Sequence, residues 1–197
     1  MSSSVPRRLA AAGLTACCLA SIAMPAAADG GSTPLTNVIA LVAQRLALAT
    51  PVAQFKWQTG KPITDTPREQ QLLADMSAKA QQQGVDPVFA RSFFGDQIEA
   101  SKMVQRSLLD QWRKEGATKQ QAPDLATLRP KLDRIDSLLI PALSQIQPVR
   151  AQANCPSQLA ESLANWKQLS SFDSSQSDAL MQALQHICES GGVAVQG

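Results

Sequence analysis

Two cations stand where a helix would be expected to bury apolar side chains. Val38, Val42, Arg45, Ala49, Val52 and Lys56 recur at steps of four and three, the spacing of one helix face. Arg45 and Lys56 are eleven residues apart, so at about 100° per residue they point within roughly 20° of each other, about 16 Å apart along the axis. A second stripe, Phe94, Ile98, Ser101, Gln105, Leu108 and Trp112, carries Ser101 and Gln105 at otherwise apolar positions. Arg68 adds a third cation at the start of another helix, where the helix dipole disfavours it. Each cation alone could be an exposed charge or could snorkel from the core edge. Together with the neutral pair they describe an internal pocket for an anionic small molecule, because arginine forks match carboxylates in a bidentate manner.

The elements that must position these groups read as helices almost throughout. Ala, Leu and Gln are abundant, and no stretch alternates convincingly with period two. A first helix is expected from about Pro34 to Trp57, with Pro51 kinking or splitting it; a split would loosen the alignment of Arg45 with Lys56. Thr66 reads as the cap of a second helix, with Pro67 at its first position and Glu69 completing a capping box, ending before Gly84. Asp86-Pro87 starts a third, which runs to about Glu115 before Gly116. Asp124 caps a fourth reaching toward Gln147, with Pro130 tolerated early and Pro141 a kink. Two more fit about Ser157–Leu169 and Asp173–Ser190. The fold class is all-α: a single-domain bundle of about six helices with one structural disulfide.

The address comes from the first 28 residues. Arg7 and Arg8, an apolar Ala/Leu-rich run and a small-residue site ending at Ala28 form a secretory signal peptide. Export to the periplasm or outside the cell follows, and residues 29–197 form the mature domain. A membrane anchor fits less well, since Gly13, Ser21 and Pro25 interrupt the run; only lipidation at Cys17, in a loose lipoprotein-like box, would attach the chain to a membrane. Cleavage removes two arginines and two of the four cysteines, so 16 basic residues balance 16 acidic ones. A neutral domain has no long-range field for nucleic acid or anionic lipid. The remaining Cys155 and Cys188 are expected to pair in an exported chain. No metal site is expected: there is no C-x-x-C, and His186 is the sole histidine, read as structural. Phosphate loops, G-x-S-x-G elbows and H-E-x-x-H motifs are missing. Trp57, Trp112 and Trp166 read as packing residues with satisfied N–H groups.

At its polar seam the sequence resembles the all-helical chorismate mutases of the secreted, disulfide-containing class. The pattern R-x10-K-x8-D-x2-R-E followed by S-x3-Q is met by Arg45, Lys56, Asp65, Arg68, Glu69, Ser101 and Gln105. F-K-W at Phe55 to Trp57, F-G-D-Q-I-E-A-S at Phe94 to Ser101, P-D-L-x3-R at Pro123 to Arg129 and the Cys155 to Cys188 spacing extend the likeness. The resemblance implies a cofactor-free Claisen rearrangement of chorismate to prephenate. It assigns Arg45, Arg68 and Arg129 to the substrate carboxylates, with Ser101 also bonding a carboxylate. Lys56 and Gln105 would donate to the ether oxygen, and Glu69, helped by Asp65, would accept from the ring hydroxyl. Some secreted members carry Glu where this chain has Gln105, which ties their activity to acid pH; Gln donates at any pH. An active-site part over about 34–130, a C-terminal scaffold over about 131–190 and a homodimer are compatible with the family. The competing functions are a non-catalytic helical binding protein for an anionic metabolite and a structural protein whose polar residues satisfy each other.

Overall fold

The computed structural model describes residues 33–118 and 121–193. The signal peptide, its cleavage site after Ala28 and Cys17 lie outside the described residues. Those described form seven helical segments: α1 (Thr33–Ala47), α2 (Ala49–Thr59), α3 (Thr66–Gln82), α4 (Pro87–Glu115), α5 (Leu125–Arg150), α6 (Cys155–Leu169) and α7 (Ser174–Ala183). The expected first helix is α1 and α2 together, and the other five follow in the expected order.

The break between α1 and α2 falls three residues ahead of Pro51, at Leu48. Proline has no N–H for the Ala47 carbonyl and its ring crowds that oxygen. The chain answers with one tight turn, in which the Leu48 N–H donates to the Arg45 carbonyl at 3.1 Å, and then resumes helical bonding from the Val52 N–H to the Leu48 carbonyl at 3.2 Å. Leu48 itself stays helical (φ −74°, ψ −10°). The proline therefore interrupts the α-helical bonding at one residue, and the helical path resumes in α2.

Capping places the remaining boundaries. The α3 cap is Asp65, not Thr66: its carboxylate accepts from the Arg68 N–H at 3.3 Å, while Glu69 reaches back to the Asp65 N–H at 3.1 Å. The sequence reading was one residue late because either side chain can cap, and the proline tolerates the first or second helical position alike. Asp86 caps α4, Asp124 caps α5, and Gly116 ends α4 at φ 62°, a left-handed conformation natural to glycine. The helix expected to reach Ser190 stops at Ala183. Side chains of α4 take over its terminal polar groups: Gln97 Nε2 donates to the Ala183 carbonyl at 2.6 Å, and the His186 N–H donates to Asp96 at 3.2 Å.

Helix α4, about 43 Å long at 1.5 Å per residue, is the spine, packing against α2, α3 and α7, while α1 packs against α5, α6 and α7. Leu35, Ile39, Phe93, Phe94, Leu143 and Ile146 are fully buried where these faces meet, and each such side chain contributes about 1.5–3 kcal/mol by burial. The stretch Thr33–Thr59 is apolar and long enough by composition to cross a membrane, yet 56% of its apolar 18-residue window is buried inside the bundle. Cys155 and Cys188 are bonded, as expected, tying the start of α6 to the segment after α7. Of the tryptophans, Trp57 and Trp112 pack together, with ring centroids 6.1 Å apart, and Trp166 lies edge-on to Phe172. The expectation that their N–H groups are satisfied fails at Trp57, whose buried Nε1 has no partner.

Candidate active site

The bundle leaves one cleft where the last turns of α1 and α2, the first turn of α3, the middle of α4 and the first half of α5 converge. Its cavity volume is ≈ 130 Å³, and it is open to solvent. All eight residues expected to meet substrate, Arg45, Lys56, Asp65, Arg68, Glu69, Ser101, Gln105 and Arg129, line it. Leu48, Val52, Ile63, Leu72, Ile98, Leu125 and Leu132 supply apolar wall between them.

Each cation is held differently. Arg45 is buried at the floor, where its Nε donates to Asp136 Oδ1 at 2.6 Å and its Nη1 to the Gln97 carbonyl at 3.2 Å. Lys56, half-buried at the end of α2, donates to the Ile63 carbonyl in the loop before α3. Burial pushes its pKa below the ordinary lysine value and the nearby Lys102 adds to this, while Asp65 and Glu69 pull the other way. At the mouth, Arg68 pairs with Asp133 at 2.6 Å and Arg129 with Asp65 at 3.7 Å, all four side chains being substantially exposed. Exposed pairs of this kind contribute about 0–1 kcal/mol, so a ligand carboxylate can displace them cheaply.

The neutral pair is connected within α4. Gln105 Nε2 donates to Ser101 Oγ at 2.9 Å and to the Ser101 carbonyl at 3.1 Å. Its Oε1 is buried with no partner. Side-chain amide orientation follows the surrounding donors. Reversing this amide would turn Nε2 to the unpartnered position and let Oε1 accept from the Ser101 hydroxyl, at the cost of the bond to the Ser101 carbonyl, whose oxygen would then face Oε1.

Two residues of the cleft carried no signal strong enough to single them out in the sequence. Lys102, only 9% exposed, donates to Glu69 at 2.8 Å and to Glu99 at 3.0 Å. Burial pulls its pKa down, but the hydrogen bonds and charges of these carboxylates win and leave it raised. Asp136, 1% exposed, lies seven residues after Arg129, on the same face of α5 two turns on. That spacing was the available clue. Five cations and three carboxylates thus line the cleft, a net charge of +2 for the lining itself, with Asp133 and Glu99 pairing from just outside it. His186 lies elsewhere, its Nδ1 2.6 Å from Asp96 Oδ2. Among the described residues no group of three or more His, Cys, Asp or Glu side chains is placed to hold a metal.

Known proteins resemble this chain over most of its length. Residues 36–106 match the family described as chorismate mutase type II, a span that includes Arg45 through Gln105 but not the α5 side of the cleft. A secreted chorismate mutase of Mycolicibacterium smegmatis is 31% identical over 171 residues, 86% of this chain and 94% of that protein. One from Mycobacterium tuberculosis is 28% identical over 172 residues, 87% of this chain and 86% of the relative. The crystal structure of chorismate mutase from Burkholderia thailandensis superposes with a TM-score of 0.77 at 53% identity, covering 80% of this chain and all of that one. The chain belongs to the chorismate mutase family.

Proposed function

We propose that this protein is an exported chorismate mutase that turns chorismate into prephenate in the cleft between α1/α2, α3, α4 and α5. The observation that carries the reading is the convergence of Arg45, Lys56, Arg68, Ser101, Gln105 and Arg129 from four parts of the chain onto one cleft with a net positive lining. Chorismate is a dianion whose ether C–O bond breaks as a C–C bond forms within the same molecule. No proton, electron or group is exchanged with the protein, so the chain needs neither a nucleophile nor a cofactor.

The residues act by restricting conformation and by meeting charge as it appears. Arg45 at the floor and Arg68 and Arg129 at the mouth hold the two carboxylates, drawing the enolpyruvyl arm over the ring. Fixing a reactive conformer lowers the barrier entropically. Negative charge then grows on the ether oxygen, where Lys56 and the reversed Gln105 amide donate to it. Donors aimed at charge that exists only in the transition state give the largest effect in a partly desolvated site. Glu69, anchored by Lys102 and the Asp65 N–H, accepts from the ring hydroxyl with Asp65 at the same end. Ser101 supplies its hydroxyl to a substrate carboxylate or to the reversed amide, one at a time.

Residues 29–197 form the mature domain, with the substrate-facing groups concentrated between 34 and 130 and the later helices acting mainly as scaffold. Every cleft residue named comes from one chain, so a homodimer would carry two complete sites. Cleavage after Ala28 would release the chain to the periplasm or beyond without Cys17 and hence without lipid, in keeping with the secreted relatives. The test is to incubate the purified mature chain with chorismate and follow product by NMR. Prephenate is expected. Binding without conversion would instead select a non-catalytic metabolite-binding protein, and neither binding nor conversion a structural one.

A further inference from the structure

Asp136 is a buried carboxylate beside a cleft built for anions. It is 1% exposed, it faces Arg45, which is 6% exposed, and its Oδ2 has no partner. A fixed negative charge there opposes a dianionic ligand, and removing a carboxylate from water is costly in itself. If Arg45 needed only its positive charge, an unpaired guanidinium on the cleft wall would bind a carboxylate more strongly. The pair therefore calls for a purpose other than neutralisation.

We propose that Asp136 is a positioning residue for the rearrangement, setting the orientation in which Arg45 presents its fork to substrate. Arginine has five N–H donors in one plane. Asp136 takes the Nε hydrogen from α5 at 2.6 Å, and the Gln97 carbonyl takes one Nη1 hydrogen from α4 at 3.2 Å. Two contacts from two helices fix the plane of the guanidinium and leave both Nη2 hydrogens and the second Nη1 hydrogen for the cleft. A long side chain that would otherwise lose rotamer freedom on binding is thereby ordered in advance. The α4 anchor is itself braced, since the Gln97 side chain donates to the Ala183 carbonyl at the end of α7. Arg68 and Arg129 have no such support; their partners are exposed carboxylates at the mouth. The division of labour is a rigid arginine at the floor and two adaptable ones at the entrance.

This inference rests on the cleft being the chorismate site, which wild-type turnover tests separately. A double-mutant cycle on kcat/KM then isolates the positioning role. Asp136→Asn keeps the shape and an acceptor oxygen but removes the charge, and is expected to lower kcat/KM tenfold or more. In an Arg45→Met background the same substitution is expected to lower kcat/KM no further, because there is no fork left to orient and the charge removed is one that opposes the dianion. Asp136→Glu, which keeps the charge but moves it by one methylene, is expected to fall with Asp136→Asn. Equal losses from Asp136→Asn in both backgrounds would overturn the proposal, since Asp136 would then act independently of Arg45. A folded and fully active Asp136→Glu beside an unfolded Asp136→Asn would overturn it equally, making the residue a structural counter-ion.

Discussion

Replacing Gln105 with glutamate converts a donor that works at any pH into one that works only when protonated. Gln105 is 4% exposed, and its outer oxygen already lacks a partner. A carboxylate in its place could take at most the Ser101 hydroxyl, and its charge would face the negative charge growing on the ether oxygen. Activity should therefore follow the protonated fraction. Starting from an ordinary glutamate pKa of about 4.3, burial raises the new group's pKa and the Lys56 ammonium lowers it. Above that pKa each pH unit removes tenfold of the active form, so Gln105→Glu should lose about 10²–10³ in kcat/KM between pH 5 and 8. Wild type should change little over the same range. The assay is initial chorismate consumption across that range at constant ionic strength. A flat profile for Gln105→Glu would refute the assignment of this side chain as a transition-state donor, and so would a steep acid optimum in wild type.

Other outcomes follow from the same contacts. Lys56 must be protonated to donate, and because its pKa is lowered, chiefly by burial, the alkaline limb of kcat/KM should fall below the ordinary lysine value of about 10.4. Lys102→Met removes a repelling cation and frees Glu69, so it should move that limb to higher pH; a downward shift would contradict the geometry. The Cys155–Cys188 bond closes a loop over a separation of 33 residues, and reducing it should cost about 3–4 kcal/mol in denaturant unfolding, with folded protein still active. Asp96 has a raised pKa because burial outweighs the hydrogen bonds and charge of His186. Its protonated form is favoured in the fold, so stability is greatest at low pH and is lost as pH rises through the raised value. Asp96→Asn should therefore gain on wild type in urea unfolding between about pH 4 and 8, and a constant difference would contradict the shift.

Much of this was legible because charges on a buried stripe break a strong periodic rule. Arg45 with Lys56, and Ser101 with Gln105, stand out where apolar residues belong, and the Asp86, Asp124 and glycine signals place the helices of the cleft. Pro51 showed that a break was due but not that it would settle at Leu48, because the clash falls one turn back and the chain relieves it at a neighbouring peptide. Lys102 and Asp136 stayed hidden for the opposite reason. A lysine one residue after Ser101, or an aspartate in a charged helix such as α5, reads as solvated surface until the packing of α3, α4 and α5 encloses it. The end of α7 was equally out of reach, since Asp96 and Gln97, nearly ninety residues away in sequence, take over its last polar groups.

The central claim is that a cationic donor on α2 meets charge that appears only as the ether bond breaks. Its most direct measurement is the loss of chorismate's ultraviolet absorbance with purified mature protein beside its Lys56→Ala variant. Wild type should turn chorismate over, and Lys56→Ala should fall by at least about 10²–10³ in kcat while still binding the substrate carboxylates. Equal rates for the two proteins, or no turnover by wild type, would contradict it.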